Sequence, residues 1–227
     1  MKWDVLISAP YMQKELDDYI EFFENNDINI DVPEVNERLE ENELLEIIDK
    51  YHGVVSGDDE FTERVFKKAD DLKVISKWGT GIDSIDLEAA KKYDVEVYNT
   101  PDAFSHPVAD TVFGFILTFL RNIIEMDKEM KEGKWNKIKG KSLSEVTLGI
   151  IGVGNVGSQV ARRANSFNMK ILGSDIRKIK SILIEEYDIN MVSKEELYKK
   201  SDIISLNCDL NETSYHLLTK TEFSKMG

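Results

Sequence analysis

The sequence predicts an α/β protein with parallel sheets, divided into two domains. Short apolar runs typical of strands alternate with helical stretches along most of its 227 residues. A polar loop between two prolines, over 99–107, interrupts this alternation, and a new series of strands and helices begins near Val146. We therefore expect one domain over residues 1–102 and a second over residues 103–227.

The first domain is predicted to alternate strands with helices throughout. Apolar runs indicate strands at 2–8, 28–35, 53–57, 72–78 and 95–99. Apolar residues at helical spacing indicate helices at 12–26, 41–51, 62–69 and 85–93. The hydroxyl of Thr62 is expected to cap the third of these helices.

The second domain is predicted to begin with one long helix over 108–131. The apolar run Val112–Leu120 in it is far shorter than the roughly 20 residues that a membrane span needs, so we expect a buried helix and no membrane partner. Strands are predicted at 146–152, 169–175 and 202–210, with a weak one at 190–193. Helices are predicted at 155–167 and 194–201, and the tail is expected to hold a loop and a short helix.

Composition narrows the classes of partner. A net charge of −14 argues against nucleic acid, since phosphates need a cationic surface. The one basic cluster, 134–141, is interpreted as a solvated connector, with a phosphate-binding patch as the alternative. Cys208 is the single cysteine and the N-terminus has no signal-peptide pattern, so we expect a cytoplasmic protein without disulfides. No metal site is predicted.

One glycine motif indicates a ligand-binding site. Gly152, Gly154 and Gly157 form the pattern G-x-G-x-x-G between an apolar strand and an amphipathic helix. In a dinucleotide site the first glycine makes the tight turn, the second lets a pyrophosphate approach, and the third packs helix against strand. The backbone N–H groups of Asn155 and Val156, at the helix N-terminus, would then face the phosphates.

The end of the next strand supports this interpretation. Asp175 lies about 20 residues beyond the glycines, where an acid that binds the ribose hydroxyls belongs. A carboxylate there repels a 2′-phosphate, which favours NAD over NADP, although Arg177 is an indication in the other direction. The alternative is a tight structural turn followed by an ordinary strand-end acid.

Longer segments of the chain resemble a known family. The runs "LKVISKWGTGIDSIDLEAAKKYDVEVYNTP", "VADTVFGFILTFLRNI" and "TLGIIGVGNVGSQVARRANSFNMKILGSD" resemble the D-isomer-specific 2-hydroxyacid dehydrogenases, particularly phosphoglycerate dehydrogenase-like members. The resemblance extends from about Tyr51 to the end. It implies a flavodoxin-like substrate domain and an NAD-binding Rossmann domain, here incomplete with about four parallel strands. It also implies a homodimer formed through the 107–131 helix and the arm after it.

The resemblance also implies site residues. Gly79, Thr80 and Gly81 match the loop whose N–H groups hold the substrate carboxylate, and Thr80 also matches a cofactor contact. Because glycine-flanked N–H groups can form an anion-binding nest, we expect such a nest in this loop. Phe104 matches a substrate-pocket position, and Cys208 matches a residue lining the nicotinamide side. The alternatives are a plain turn capped by Asp83 or Ser84, and a buried strand-end thiol at Cys208.

Departures from the family bear on the substrate. Where phosphoglycerate-selective members carry an arginine, this chain has Asp58, Asp59 and Glu60, which would repel a phosphate. Asp209 stands in place of a usual proline. A small unphosphorylated 2-hydroxy or 2-keto acid is therefore expected at least as much as phosphoglycerate, with glycerate, hydroxypyruvate and glyoxylate in the same class.

The acid–base chemistry of the family uses an arginine, a glutamate and a histidine, which the resemblance places beyond Gly227. Of the chain's own histidines, His52 is expected at the surface or at a strand edge, and His216 in the tail helix, away from the site. His106 is expected in a hinge, with a catalytic base as the lesser alternative. Two hypotheses follow: an NAD-dependent 2-hydroxyacid dehydrogenase, or a non-catalytic NAD-binding or interaction protein. Strand 202–210 is expected at an open sheet edge, where it favours association.

Overall fold

The structure, a computed structural model, describes residues 2–226. It divides into two compact units, with the boundary between Ala103 and Phe104. The sequence had indicated a boundary between residues 102 and 103. The polar loop predicted over 99–107 is shorter than expected, because Ser105 and Pro107 already belong to the first turn of a helix.

The first unit is built on a five-stranded, fully parallel sheet. Its strand order is β2-β1-β3-β4-β5, so the chain reverses direction across the sheet between β1 and β3. This is the flavodoxin-like order, in which ligands bind beyond the carboxyl ends of the strands. In chain order the elements are β1 (Trp3–Ile7), α1 (Pro10–Lys14), α2 (Ile20–Asn25), β2 (Ile28–Asp31), α3 (Glu41–Ile47), β3 (Gly53–Ser56), α4 (Glu63–Lys68), β4 (Val74–Lys77), α5 (Leu87–Lys92) and β5 (Glu96–Tyr98).

Helices cover both faces of this sheet and bury separate apolar clusters. The larger cluster joins α3, α4 and α5 to the sheet through side chains that include Leu44, Phe66 and Ile75, all of them buried. A smaller cluster packs α1 and α2 against the other face through Met12 and Phe23. Burial on both faces explains why the strands are continuous apolar runs rather than alternating ones.

Three local predictions in this unit are wrong. The helix expected over 12–26 is two short α-helices separated by a 3-10 turn at Leu16–Asp18. The strand expected over 28–35 ends at Asp31, because β2 is an edge strand that pairs with β1 only over Ile28–Asp31. Thr62 precedes α4 but does not cap it, since its hydroxyl donates to Glu41 at 2.5 Å.

The second unit holds a four-stranded parallel sheet in the order β8-β7-β6-β9. This is the order of the first four strands of a Rossmann domain, and β9 lies at an edge of the sheet as expected. The elements are α6 (Ser105–Leu120), α7 (Ile123–Lys131), β6 (Thr147–Ile151), α8 (Asn155–Ser166), β7 (Lys170–Ser174), α9 (Ser181–Glu186), β8 (Ile189–Met191), α10 (Lys194–Lys200), β9 (Ile203–Leu206) and α11 (Lys220–Phe223).

The long helix expected over 108–131 is two helices, and this expectation is wrong. Asn122 adopts a left-handed conformation with φ of 53°, and α6 and α7 meet at a bend of 62°. Within the described residues no single helix is long and apolar enough to cross a bilayer, whereas α6 and α7 would suffice together if they were not bent. Only one face of α6 is buried, so the expectation of a buried helix holds for Phe113 and Ile116 and fails for Phe119, which is 83% exposed.

Two further differences lie in the second unit. Helix α9 was not predicted, because its residues lack a clear apolar stripe and none of them is buried. His216 does not lie in the tail helix as expected; it occupies a left-handed turn with φ of 53°, ahead of α11.

Candidate functional site

The turn between β6 and α8 has the backbone geometry of a phosphate-binding loop. Gly152 has φ of 84°, a conformation that side chains with a Cβ rarely adopt, and its N–H donates to the carbonyl of Ser174 on β7 at 2.9 Å. A Cβ on Gly157 would overlap the carbonyl oxygen of Gly152 and lie 3.3 Å from Ile150 Cγ2. The third glycine therefore allows α8 to start in contact with the end of β6.

Helix α8 begins with uncapped N–H groups. Its N-cap residue is Gly154, which has no side chain to accept them, and no acidic residue occupies the first turn. Among the described residues, no hydrogen-bond acceptor faces the N–H groups of Asn155 and Val156. Asn155 is exposed and Val156 is half-buried, and the N–H groups at this end of α8 carry the positive end of the helix dipole. They fit the phosphates of a dinucleotide.

Asp175, the residue directly after β7, is fixed against this loop. Its Oδ2 accepts the N–H of Val153 at 2.8 Å, and its Oδ1 accepts the N–H of Arg177 at 2.7 Å. Burial alone would raise the pKa of this carboxyl, but the hydrogen bonds from Arg177 and Val153 outweigh it and hold the pKa below the usual range. The side chain is ionised and 3% exposed.

The guanidinium of Arg177 covers that carboxylate and extends over the glycine loop. Its Nε lies 3.4 Å from Asp175 Oδ1, and its Nη2 lies 2.9 Å from the position that a Cβ on Gly154 would take. The side chain of Arg177 is 67% exposed. A Cβ on the second glycine of the motif would therefore meet the end of an exposed cationic side chain rather than backbone.

Cys208 lies beside the same turn. The chain after β9 passes so close to Gly152 that a Cβ there would lie 2.9 Å from the backbone nitrogen of Cys208. The thiol is free and exposed, so the alternative of a buried strand-end cysteine is wrong.

In the first unit, Gly79, Thr80 and Gly81 follow β4 at the carboxyl edge of the sheet. The loop is fixed to the segment after β5: Asn99 Nδ2 donates to the Thr80 carbonyl at 2.7 Å, and Thr80 Oγ1 donates to the Thr100 carbonyl at 3.1 Å. The backbone N–H groups of Thr80 and Gly81 find no acceptor within the part of the chain that the structure describes. Both residues are exposed, so these donors are available to an anion.

Two expectations about this loop need correction. Positive φ angles among the described glycines occur at Gly133 and Gly152, so the loop at 79–81 is not a nest of alternating right- and left-handed residues. Helix α5 is capped by Asp86, whose carboxylate accepts the N–H of Ala89, so the alternative of a cap by Asp83 or Ser84 is wrong as well.

The three acids after β3 do not act as one negative cluster. Asp59 is buried and accepts hydrogen bonds from Ser8 Oγ at 2.5 Å and from the N–H of Leu39 at 2.7 Å. Asp58 pairs with the ammonium of Lys77, which is 3% exposed and also donates to the carbonyl of Gly57.

Glu60 pairs with Arg38 at 2.9 Å. Because each of the three acids is paired or buried, they repel a phosphate much less than their sequence suggests. Sequence reasoning missed Lys77; a lone lysine inside the apolar run of β4 was the available signal.

Phe104, His106 and His52 are the remaining candidates. Phe104 precedes α6 and is half exposed, and His106 is exposed in the first turn of α6. His52 accepts the N–H of Asp4 on its Nδ1 at 3.1 Å, at the amino end of the first sheet. No cluster of metal-ligating side chains occurs among residues 2–226.

Comparison with known proteins gives the same family from sequence and structure. Residues 113–227 match the profile of "D-isomer specific 2-hydroxyacid dehydrogenase, NAD binding domain". The chain is 39% identical to a hydroxypyruvate reductase of Thermotoga maritima over 194 residues, which is 84% of this chain and 62% of that protein. It is 38% identical over 197 residues to a D-3-phosphoglycerate dehydrogenase of Methanocaldococcus jannaschii, covering 85% of this chain and 37% of that one.

Among solved structures, the D-lactate dehydrogenase of Aquifex aeolicus, complexed with NAD and lactic acid, aligns with a TM-score of 0.84 and 26% identity. The alignment covers 98% of this chain and 66% of that one. The chain thus spans between about a third and two thirds of the length of these relatives. Its glycine loop, its strand order and the profile match lead to one conclusion: the chain belongs to the D-isomer-specific 2-hydroxyacid dehydrogenase family.

Proposed function

We propose that this chain acts in an NAD-dependent oxidoreductase that transfers hydride between NAD(H) and a small 2-hydroxy or 2-keto acid. The observation that carries the proposal is the β6–α8–β7 unit, in which a glycine turn, free helix N–H groups and an ionised Asp175 lie together. NAD supplies the hydride acceptor, and the chain supplies the groups that hold it.

The cofactor would be held by residues that carry free donors or form close turns. The N–H groups of Asn155 and Val156 would bind the pyrophosphate, and Asp175 the ribose hydroxyls of the adenosine. The full set that we propose is Thr80, Gly152, Gly154, Asn155, Val156, Gly157, Asp175 and Cys208.

The substrate would be an anion held by its carboxylate. The free N–H groups of Thr80 and Gly81 support that role, and we assign substrate binding to Gly79, Thr80, Gly81 and Phe104. Because Asp58 is paired with Lys77 and Asp59 is buried, phosphoglycerate remains in the proposed substrate class beside hydroxypyruvate, glycerate and glyoxylate.

We also propose that the protein is a homodimer formed through the second unit. Large apolar side chains are exposed on α6, on α7 and in the segment that follows: Phe115, Phe119, Ile124 and Trp135. Isolated apolar residues are common on surfaces, but several large ones on consecutive elements are typical of an interface. A free thiol at Cys208 supports a reducing, cytoplasmic location.

Two measurements test the proposal. NAD binding is measured by calorimetric titration of the wild-type chain and of Asp175→Ala, which is expected to bind more weakly. NADH oxidation is then followed by absorbance with glyoxylate, hydroxypyruvate and pyruvate. Turnover of any of these acids above background would reject the non-catalytic alternative, and unchanged affinity in the variant would reject the ribose assignment.

A further inference from the structure

Arg177 is the cationic side chain that touches the glycine loop, and the proposed NAD site leaves it without a role. The segment Gly152–Gly157 reads GVGNVG and contains no lysine or arginine. The guanidinium of Arg177 extends across it, with Nη2 directly in front of Gly154. In the proposed site, Gly154 is the residue whose missing side chain lets the pyrophosphate approach the backbone.

The charge distribution around this loop means that an added cation would favour binding of an anionic cofactor. The chain carries a net charge of −14, so its overall field opposes the approach of an anionic cofactor. Apart from Arg177, the groups near the loop that attract an anion are the N–H groups at the start of α8 and the dipole of that helix. The first turn of α8 has neither acidic nor capping side chains. A guanidinium adds a full charge and a fork of donors that fits two phosphate oxygens.

The partner that now holds the guanidinium is the one that the ribose is proposed to take. Arg177 Nε lies 3.4 Å from Asp175 Oδ1, at the long end for a hydrogen bond, and the arginine is 67% exposed. A contact of this length to an exposed guanidinium contributes little to stability. The carboxylate of Asp175 is nevertheless almost fully covered, so a ribose reaches it only after the guanidinium moves aside.

We propose that Arg177 is a pyrophosphate-binding residue that exchanges its Asp175 contact for the cofactor's phosphates. When the ribose hydroxyls occupy Asp175, the displaced guanidinium is already beside Gly154 and donates to the pyrophosphate oxygens there. This inference rests on the proposed NAD site. It assigns Arg177 a role in NAD binding and not in recognition of a 2′-phosphate.

The test compares Arg177→Ala with Lys178→Ala, which removes the same charge from the neighbouring exposed position. Calorimetric titrations use NAD, ADP-ribose, adenosine and NADP. We expect Arg177→Ala to weaken NAD and ADP-ribose about ten-fold, which corresponds to about 1.4 kcal/mol. Adenosine binding should not weaken, and Lys178→Ala should bind NAD within about two-fold of wild type. Arg177→Lys should retain part of the affinity.

Salt provides an independent readout. Because the proposed contact joins two charges in an exposed site, NAD affinity of the wild type should fall more steeply with salt than that of Arg177→Ala. Three results would overturn the inference: unchanged NAD affinity in Arg177→Ala, an equal loss for adenosine, or a loss confined to NADP. If the wild type binds NAD and the variant binds it equally, the proposed function stands and only this inference fails. If the wild type binds no NAD, both fail.

Discussion

Gly157→Ala is expected to push the start of α8 away from the sheet and to destabilise the second unit. The added methyl would overlap the carbonyl oxygen of Gly152 and lie 3.0 Å from the carbonyl carbon of the same residue. Both atoms belong to the backbone, so they cannot rotate away as a side chain could. Overpacking where side chains can adjust costs up to about 3 kcal/mol, and replacing glycine by alanine in a helix returns about 1 kcal/mol. We therefore expect a net loss of at least about 2 kcal/mol in the free energy of unfolding of the second unit.

That loss corresponds to a fall in melting temperature of roughly 8 °C for a unit of this size. Differential scanning calorimetry measures it, and hydrogen exchange of the α8 amides identifies the affected region. NAD affinity should fall as well, because moving α8 away from β6 displaces the N–H groups that face the phosphates.

Gly114→Ala is the matched control. Gly114 lies in α6, and a Cβ there would meet nothing within 4 Å, so the substitution should stabilise the helix by about 0.5–1 kcal/mol. If Gly157→Ala melts at the wild-type temperature or above it, the close approach of α8 to Gly152 is not what requires the third glycine.

Three other predictions concern charge and surface. The pKa of Asp175 is held below its usual range, so its stabilising contribution should be present at neutral pH and disappear as acid takes the pH through that lowered pKa; urea unfolding against pH should lose this dependence in Asp175→Asn. Asp59→Ala should cost about 2–3 kcal/mol, because it removes the acceptor of the buried Leu39 N–H and of the Ser8 hydroxyl, whereas Glu60→Ala, which removes a partly exposed ion pair with Arg38, should cost at most about 1 kcal/mol; equal losses in denaturant titrations would contradict this. Phe119→Glu should shift the sedimentation coefficient from dimer to monomer while Phe22→Glu, an exposed aromatic of the first unit, should not; two unchanged dimers would reject the proposed interface.

The sequence by itself determined the order of the strands in both units and the position of most of the helices. Continuous apolar runs predict strands buried on both faces, and those runs appear as the parallel strands of the two sheets. The positions of the glycine turn and of Asp175 could also be predicted from the sequence, because they depend on local backbone geometry and on one neighbouring strand. Position along the chain was sufficient to predict Gly152 at the turn and Gly157 at the close contact.

The tertiary structure decided which side chains face each other. A bend at Asn122 could not be read from an apolar stripe that continues across it, because the break depends on one left-handed residue. The three acids after β3 looked alike in sequence, yet Asp59 is buried and Asp58 is paired with Lys77, a residue distant along the chain. The spacing of residues along the chain predicts helical or strand periodicity and the positions of turns. It does not predict which distant group neutralises a charge, because that depends on how the strands and loops pack.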